Sequence, residues 1–102
     1  MNGQLSAAFV LATTFGLAAG PALADIDFAE AERLRADGAV LPTAKIAELA
    51  VAVRAGTVAD LELERVLGRY VYEVEVRDAD GQEWNLDIDA KTGEILQSER
   101  DD

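Results

Sequence analysis

Between residues 57 and 96, apolar and polar side chains alternate with period two. Ala59, Leu61 and Leu63 alternate with Asp60, Glu62 and Glu64. Tyr70, Tyr72, Val74 and Val76 alternate with Val71, Glu73, Glu75 and Arg77, and Trp84, Leu86 and Ile88 with Glu83, Asn85, Asp87 and Asp89. A short last run holds Ile95 and Leu96. Neighbouring side chains of a strand point to opposite faces, so strict alternation marks a half-buried strand. Gly68, Asp78-Ala79-Asp80-Gly81 and Ala90-Lys91-Thr92-Gly93 punctuate the runs with turn residues. The pattern predicts four strands in an antiparallel meander with one apolar face.

Upstream the period becomes helical. Ile46, Leu49, Ala50 and Val53 fall at i, i+3, i+4 and i+7, on one face of a helix over Ala44–Arg54. Leu41-Pro42 breaks the chain before it, Thr43 is the expected N-cap, and Gly56 the expected left-handed stop. Asp27 and Glu30 form a capping-box pair, and Phe28, Ala31 and Leu34 give a second, shorter helix over Phe28–Asp37, stopped by Gly38. So short a helix is marginal unless it docks. It is either a frayed N-terminal arm or a detachable cover over the sheet. The expected fold is α+β: one main helix packed on a four-stranded antiparallel β-meander, with a short extra N-terminal helix. The expected core is Ile46, Leu49, Val53, Leu61, Leu63, Tyr72, Val74, Val76, Trp84, Leu86 and Ile88, with Trp84 the largest contributor.

The first 24 residues carry no charged side chain. An apolar run from Leu5 to Ala19 leads to Gly20-Pro21 and then Ala22-Leu23-Ala24, whose small residues suit signal peptidase. This reads as a secretory signal peptide cleaved after Ala24, which would place the mature chain in the periplasm or outside the cell. The competing reading is an uncleaved membrane anchor, because the n-region lacks Lys and Arg. The expected organisation is a signal peptide over 1–24, an N-terminal arm with a short helix over 25–40, a folded domain over 41–99 and an acidic tail over 100–102.

Charge changes the picture of the sheet's other face. The chain has 102 residues, 20 of them acidic and 9 basic, with no His and no Cys, for a net charge of −11. Nucleic acid is excluded as a partner, since binding a polyanion needs a basic patch, and no membrane surface is expected after signal cleavage. Without His or Cys the usual nucleophiles, neutral-pH bases and soft metal ligands are missing, so neither catalysis nor a cofactor is expected. Self-repulsion on this scale fits a monomer. The acidic residues concentrate on the polar side of the predicted strands. Glu62, Glu64, Glu73, Glu75, Asp87 and Asp89 form the candidate partner surface, with Asp60 and Glu83 beside them. Three readings are open: a solvated face that resists aggregation, a docking surface for a basic partner, and a binder of divalent cations or small basic ligands. Asp78-Ala79-Asp80-Gly81 lacks EF-hand spacing, with Gly at the fourth rather than the sixth position, and reads as a hairpin turn.

The chain resembles the PepSY domain family. The likeness rests on a helix followed by Tyr70-Val71-Tyr72-Glu73-Val74-Glu75-Val76, on Asp80-Gly81, and on Asp87-Ile88-Asp89-Ala90-Lys91-Thr92-Gly93-Glu94-Ile95-Leu96. It covers Leu41 to Glu99. The family occurs in propeptides of secreted metallopeptidases, in membrane-anchored proteins and as small exported proteins. It brings no catalytic residues to carry over. The resemblance implies a non-catalytic exported module that binds a protein partner, with regulation or inhibition of cell-envelope peptidases as the expected role.

Overall fold

The computed structural model describes residues 23–101, and side chains from Ile26 onward. Most of the expected signal peptide therefore lies outside the described residues. The element order is β1 (Leu23–Asp25), α1 (Phe28–Ala36), α2 (Thr43–Val53), β2 (Thr57–Val66), β3 (Arg69–Arg77), β4 (Glu83–Asp89) and β5 (Ile95–Asp101). The strands form one antiparallel sheet in the order β1-β2-β3-β4-β5. The fold is α+β, and the predicted four-strand meander is β2 to β5. β1 is an unforeseen fifth strand, paired among the described residues with Glu64 to Val66 of β2. The last strand runs to Asp101, so residues 100 and 101 extend the sheet instead of forming a tail.

The central strand β3 sorts the side chains. Tyr72, Val74 and Val76 are wholly buried, as are Leu86 and Ile88 opposite them on β4. Ile46 and Ala50 of α2 close this face from above. Leu49, Leu61 and Trp84 pack around the core partly buried. Val53, expected inside, is 40% exposed, because it ends the helix where the chain turns away towards β2. Ala59 is also exposed. A bulge between Val58 and Asp60 inserts one extra residue, so Val58 takes the inward place opposite Val76.

The helix ends follow local chemistry. Asp27 caps α1, its carboxylate accepting from the Glu30 N–H at 2.8 Å. At the other end the Ala39 N–H donates to Leu34 O and the Gly38 N–H to Arg35 O, a Schellman closure that the left-handed Gly38 permits. For α2 the expected N-cap is displaced by one residue. Pro42 holds that position, its carbonyl accepting from Lys45 and Ile46, and Thr43 is the first helical residue. Gly56 is needed for closeness, since a Cβ there would overlap the Arg77 carbonyl.

α1 docks on the sheet. Tyr72 carries the joint: its hydroxyl donates to Leu41 O at 2.7 Å and accepts from Arg35 Nε at 3.1 Å. Arg65 reaches up from β2 to Glu30 at 2.9 Å and lies 5.4 Å from the Tyr70 ring. Ala31 is buried beneath the helix. Hydrogen bonds from a buried hydroxyl stabilise by about 1 kcal/mol each and are expensive to leave unmade. The short helix thus gains from tertiary contacts what its length denies it.

Trp84 sits at the rim of the core. The Arg54 guanidinium lies 3.6 Å from its ring centroid, and its indole N–H donates to Asp78 at 3.0 Å. The same Asp78 carboxylate accepts from the N–H groups of Asp80 and Gln82, which closes the β3–β4 turn.

The β2–β3 turn stores strain. Its two loop residues, Leu67 and Gly68, have φ of 51° and 79°, the values of a type I′ hairpin. Leucine in this region is unfavourable by about 1–2 kcal/mol, and its side chain is 68% exposed. Leu67→Asn should therefore raise the free energy of unfolding by about 1 kcal/mol. Urea melts of the two proteins check this, and an unchanged or lower midpoint for the variant contradicts it.

Candidate functional site on the acidic sheet face

The face of the sheet turned away from α2 is built from the polar half of each alternating run. Register sets the carboxylates in rows. Glu62, Glu73 and Asp87 stand opposite one another on β2, β3 and β4. Asp60 pairs with Glu75, then Asn85, then Glu99. Arg77 pairs with Glu83 and Glu83 with Asp101. Like charges directly opposite across strands destabilise a sheet.

Two triplets come close. Carboxylate oxygens of Glu62, Glu64 and Glu73 lie within 4.8 Å of one another, as do those of Glu75, Glu83 and Asp101. Oxygen donors at this spacing are of the kind that hard divalent cations take, though exposed acidic groups often cluster without one. Asp101 and Glu99 were not among the expected surface residues. The signal for them was present, since Gln97, Glu99 and Asp101 continue the alternation into what reads as a tail.

The six candidate residues divide by environment. Glu62 and Glu73 are exposed, and Glu75 and Asp87 half-buried. Glu64, expected on the open surface, is only 8% exposed. Asp89 is engaged in its own turn. It accepts from the N–H groups of Lys91 and Thr92 at 2.9 and 3.0 Å and pairs with Arg69 at 2.7 Å. The candidate surface therefore centres on Glu62, Glu73, Glu75 and Asp87.

Electrostatics follow the same division. The Arg69 guanidinium and the turn N–H groups hold the Asp89 carboxyl down at about 2. Burial, with Glu73 and Glu99 nearby, pushes Asp87 up. A hydrogen bond with Glu83, then burial, raises Glu75, whereas Arg77, 2.5 Å away, lowers Glu83. Arg69 and Arg77 take up Asp89 and Glu83. Arg65 is on the opposite face with Glu30 and Tyr70.

The motif residues hold a joint between the sheet and α2. Ala90 is wholly buried, its N–H donating to Tyr70 O and its carbonyl accepting from the Leu41 N–H. Gly93 has φ of 84°, and a Cβ there would meet Leu49 at 2.8 Å and Leu41 at 3.3 Å. Asp89, Ala90, Thr92 and Gly93 thus fasten the β4–β5 turn beneath the start of α2.

Residues 40–99 match the family described as peptidase propeptide and YPEB domain, and the chain belongs to this PepSY family. The chain is similar to the uncharacterized protein YkoJ of Bacillus subtilis strain 168, at 38% identity over 55 residues, which are 54% of this chain and 32% of that protein. The matched region thus spans about a third of that relative's length. No solved structure matches. Among the described residues, no helix is long and apolar enough to cross a membrane.

Two substitutions should act in opposite directions. Because the Asp87 carboxyl is pushed up on folding, its ionisation weakens the fold, with no penalty at low pH and the full penalty above the raised value. Asp87→Asn should gain about 0.5 kcal/mol at pH 7, a gain that fades as the pH falls. Asp89 is depressed, so its contribution is present above about pH 4 and is lost as the pH falls through its folded value. Asp89→Asn should lose about 1–2 kcal/mol at pH 7 and less at each step below about pH 4. Denaturant melts of both variants from pH 7 to 2 read these differences, and effects of the same sign at neutral pH would refute the assignment.

Proposed function

We propose that this protein is an exported, non-catalytic interaction module that binds peptidases of the cell envelope and regulates them in trans. The observation that carries the reading is the family match over 40–99, to domains named for their place in peptidase propeptides. The acidic face supports it. Its rows of carboxylates are only partly matched by Arg69 and Arg77, and a basic protein surface placed against them would relieve the repulsion. Processing after Ala24 would release the domain from its leader into the compartment where such peptidases work.

The binding should be steered by charge. Complementary surfaces associate faster at low ionic strength and are screened as salt rises. Adding the purified protein to envelope peptidases at micromolar concentration should lower their turnover, and more strongly at low than at high salt. Charge reversal at Glu73 and Glu75, as E73K/E75K, should weaken the effect about tenfold or more, since each lost charge pair is worth about 1.5 kcal/mol or more at such interfaces. Unchanged turnover with no complex on gel filtration contradicts the proposal. Heat on titration with Ca²⁺, and none with any peptidase, would instead favour cation binding by the Glu62, Glu64, Glu73 or the Glu75, Glu83, Asp101 triplet.

A further inference from the structure

α1 lies lightly on the sheet. Ala31 is its one buried residue, Leu34 packs partly against the core, and Phe28 is 78% exposed. A groove of about 580 Å³ lies beside it, mixing the apolar walls Phe28, Leu61 and Leu63 with the charged ones Glu32, Arg35 and Glu62. Polar contacts tie the helix to two strands, Glu30 to Arg65 of β2 at 2.9 Å and Arg35 to the Tyr72 hydroxyl of β3 at 3.1 Å. The chain is fixed on both sides of it. Ahead of the helix, β1 pairs with Glu64, Arg65 and Val66, and only Ile26 and Asp27 separate β1 from α1. Behind it, Gly38 turns the chain with φ of 76° and open space where a Cβ would stand. Val40 is then buried, and the Leu41 N–H donates to Ala90 O at 2.7 Å.

We propose that α1 is a lid latched at both ends, and that cleavage after Ala24 opens the first latch. The proposal rests on the processing reading above and adds what processing does to the fold. Leu23 and Ala24 are two of the three residues of β1. Cutting behind them leaves Asp25 alone of the three ladder positions, and a chain end held by one residue frays. The second latch, at Val40 and Leu41, is untouched. Fixing both ends of a segment limits the freedom it gains on opening, so the same docking contacts hold it more firmly before the cut than after. After the cut, α1 is a nine-residue helix anchored at one end. A helix of that length is marginal by itself and persists only while its side chains stay docked.

Opening leaves the rest of the domain in place. The ladders joining β2, β3 and β4, and the seat of Ile46 and Ala50 of α2, all lie within 40–99, the span of the family match. Arg35 departs from the Tyr72 hydroxyl, which keeps its bond to Leu41 O. Ala31 departs from the groove it lines with Leu61 and Leu63, and bares them. The uncut chain thus keeps this helix-side part of β2 closed, and the processed chain uncovers it intermittently.

Native-state amide hydrogen exchange in rising, sub-denaturing urea separates a lid from a fraying end and from global unfolding. The amides to follow are those of α1 from Ala31 to Asp37, that of Leu41, and those of β3. The proteins are the full chain, the chain beginning at Asp25, and full-length L23P/A24P, in which proline interrupts β1. In the chain from Asp25 the α1 amides should exchange about tenfold faster than in the full chain, through one shared opening that urea promotes. Leu41 and the β3 amides should keep their rates within about twofold. L23P/A24P should reproduce the release without the cut. E30Q, which removes the ion pair with Arg65, should speed α1 exchange about twofold in each chain. Equal α1 rates in the full chain and the chain from Asp25, or no release by L23P/A24P, overturns the proposal. So do graded, urea-independent rates along α1, exchange of α1 only together with β3, or failure of the chain from Asp25 to fold. A different N-terminus on the exported protein, read by mass spectrometry, defeats only the processing reading, and unchanged α1 exchange defeats only this one.

Discussion

The pairing of β3 with its neighbours is the constraint on which the rest depends. Tyr72, Val74 and Val76 have no exposed surface, and Glu73 and Glu75 between them face the other way. A slip of one residue would carry every glutamate into the core and every core residue into water. Because the apolar set can be buried in only one register, that register is imposed on the acidic set as well. The carboxylates of Glu62, Glu73 and Asp87 are brought into one row by the burial of Leu63, Tyr72 and Ile88 beside them. The charge pattern of the outer face is thus a consequence of core packing, held in place against its own repulsion.

The joints around the sheet keep that register. Asp78 and Asp89 each use one carboxylate to close a turn and to reach a second group, the Trp84 indole in one case and Arg69 in the other. Tyr72 ties the central strand to the segment between the helices through Leu41, and to α1 through Arg35. Ala90 and Gly93, within the motif that carries the PepSY resemblance, sit where the β4–β5 turn lies close against Leu41 and Leu49. Their chemistry is that of a scaffold, which imposes its pattern on the surfaces around it.

Much of this architecture was legible in the residues alone. Period-two alternation located β2, β3 and β4, and the i, i+3, i+4, i+7 set located α2 within a residue at each end. What escaped were features that depend on contacts between distant segments. The bulge that exposes Ala59 is set by pairing with β3, and nothing local announces it. β1 is three residues long, and two of them, Leu23 and Ala24, belong to the stretch that reads as a leader. α1 looks marginal by length, and its anchors Glu30–Arg65 and Arg35–Tyr72 join residues more than thirty positions apart. The acidic face was visible as a set of alternating residues, but its division was not. Asp89 and Glu64 carry the same charge as Glu73, and only the fold shows one engaged in a turn and the other buried.

The central claim is that the folded sheet holds its outer carboxylates together under net repulsion, which a partner would relieve. Stability as a function of monovalent salt tests it most directly, because screening weakens repulsion and attraction alike and so reveals which dominates. Urea melts at neutral pH, from low ionic strength to about 0.5 M sodium chloride, should show a midpoint that rises with salt and levels off once the Debye length falls to a few ångströms. A midpoint that falls with salt would mean that pairs such as Arg69–Asp89 and Arg77–Glu83 outweigh the rows, and would contradict the account.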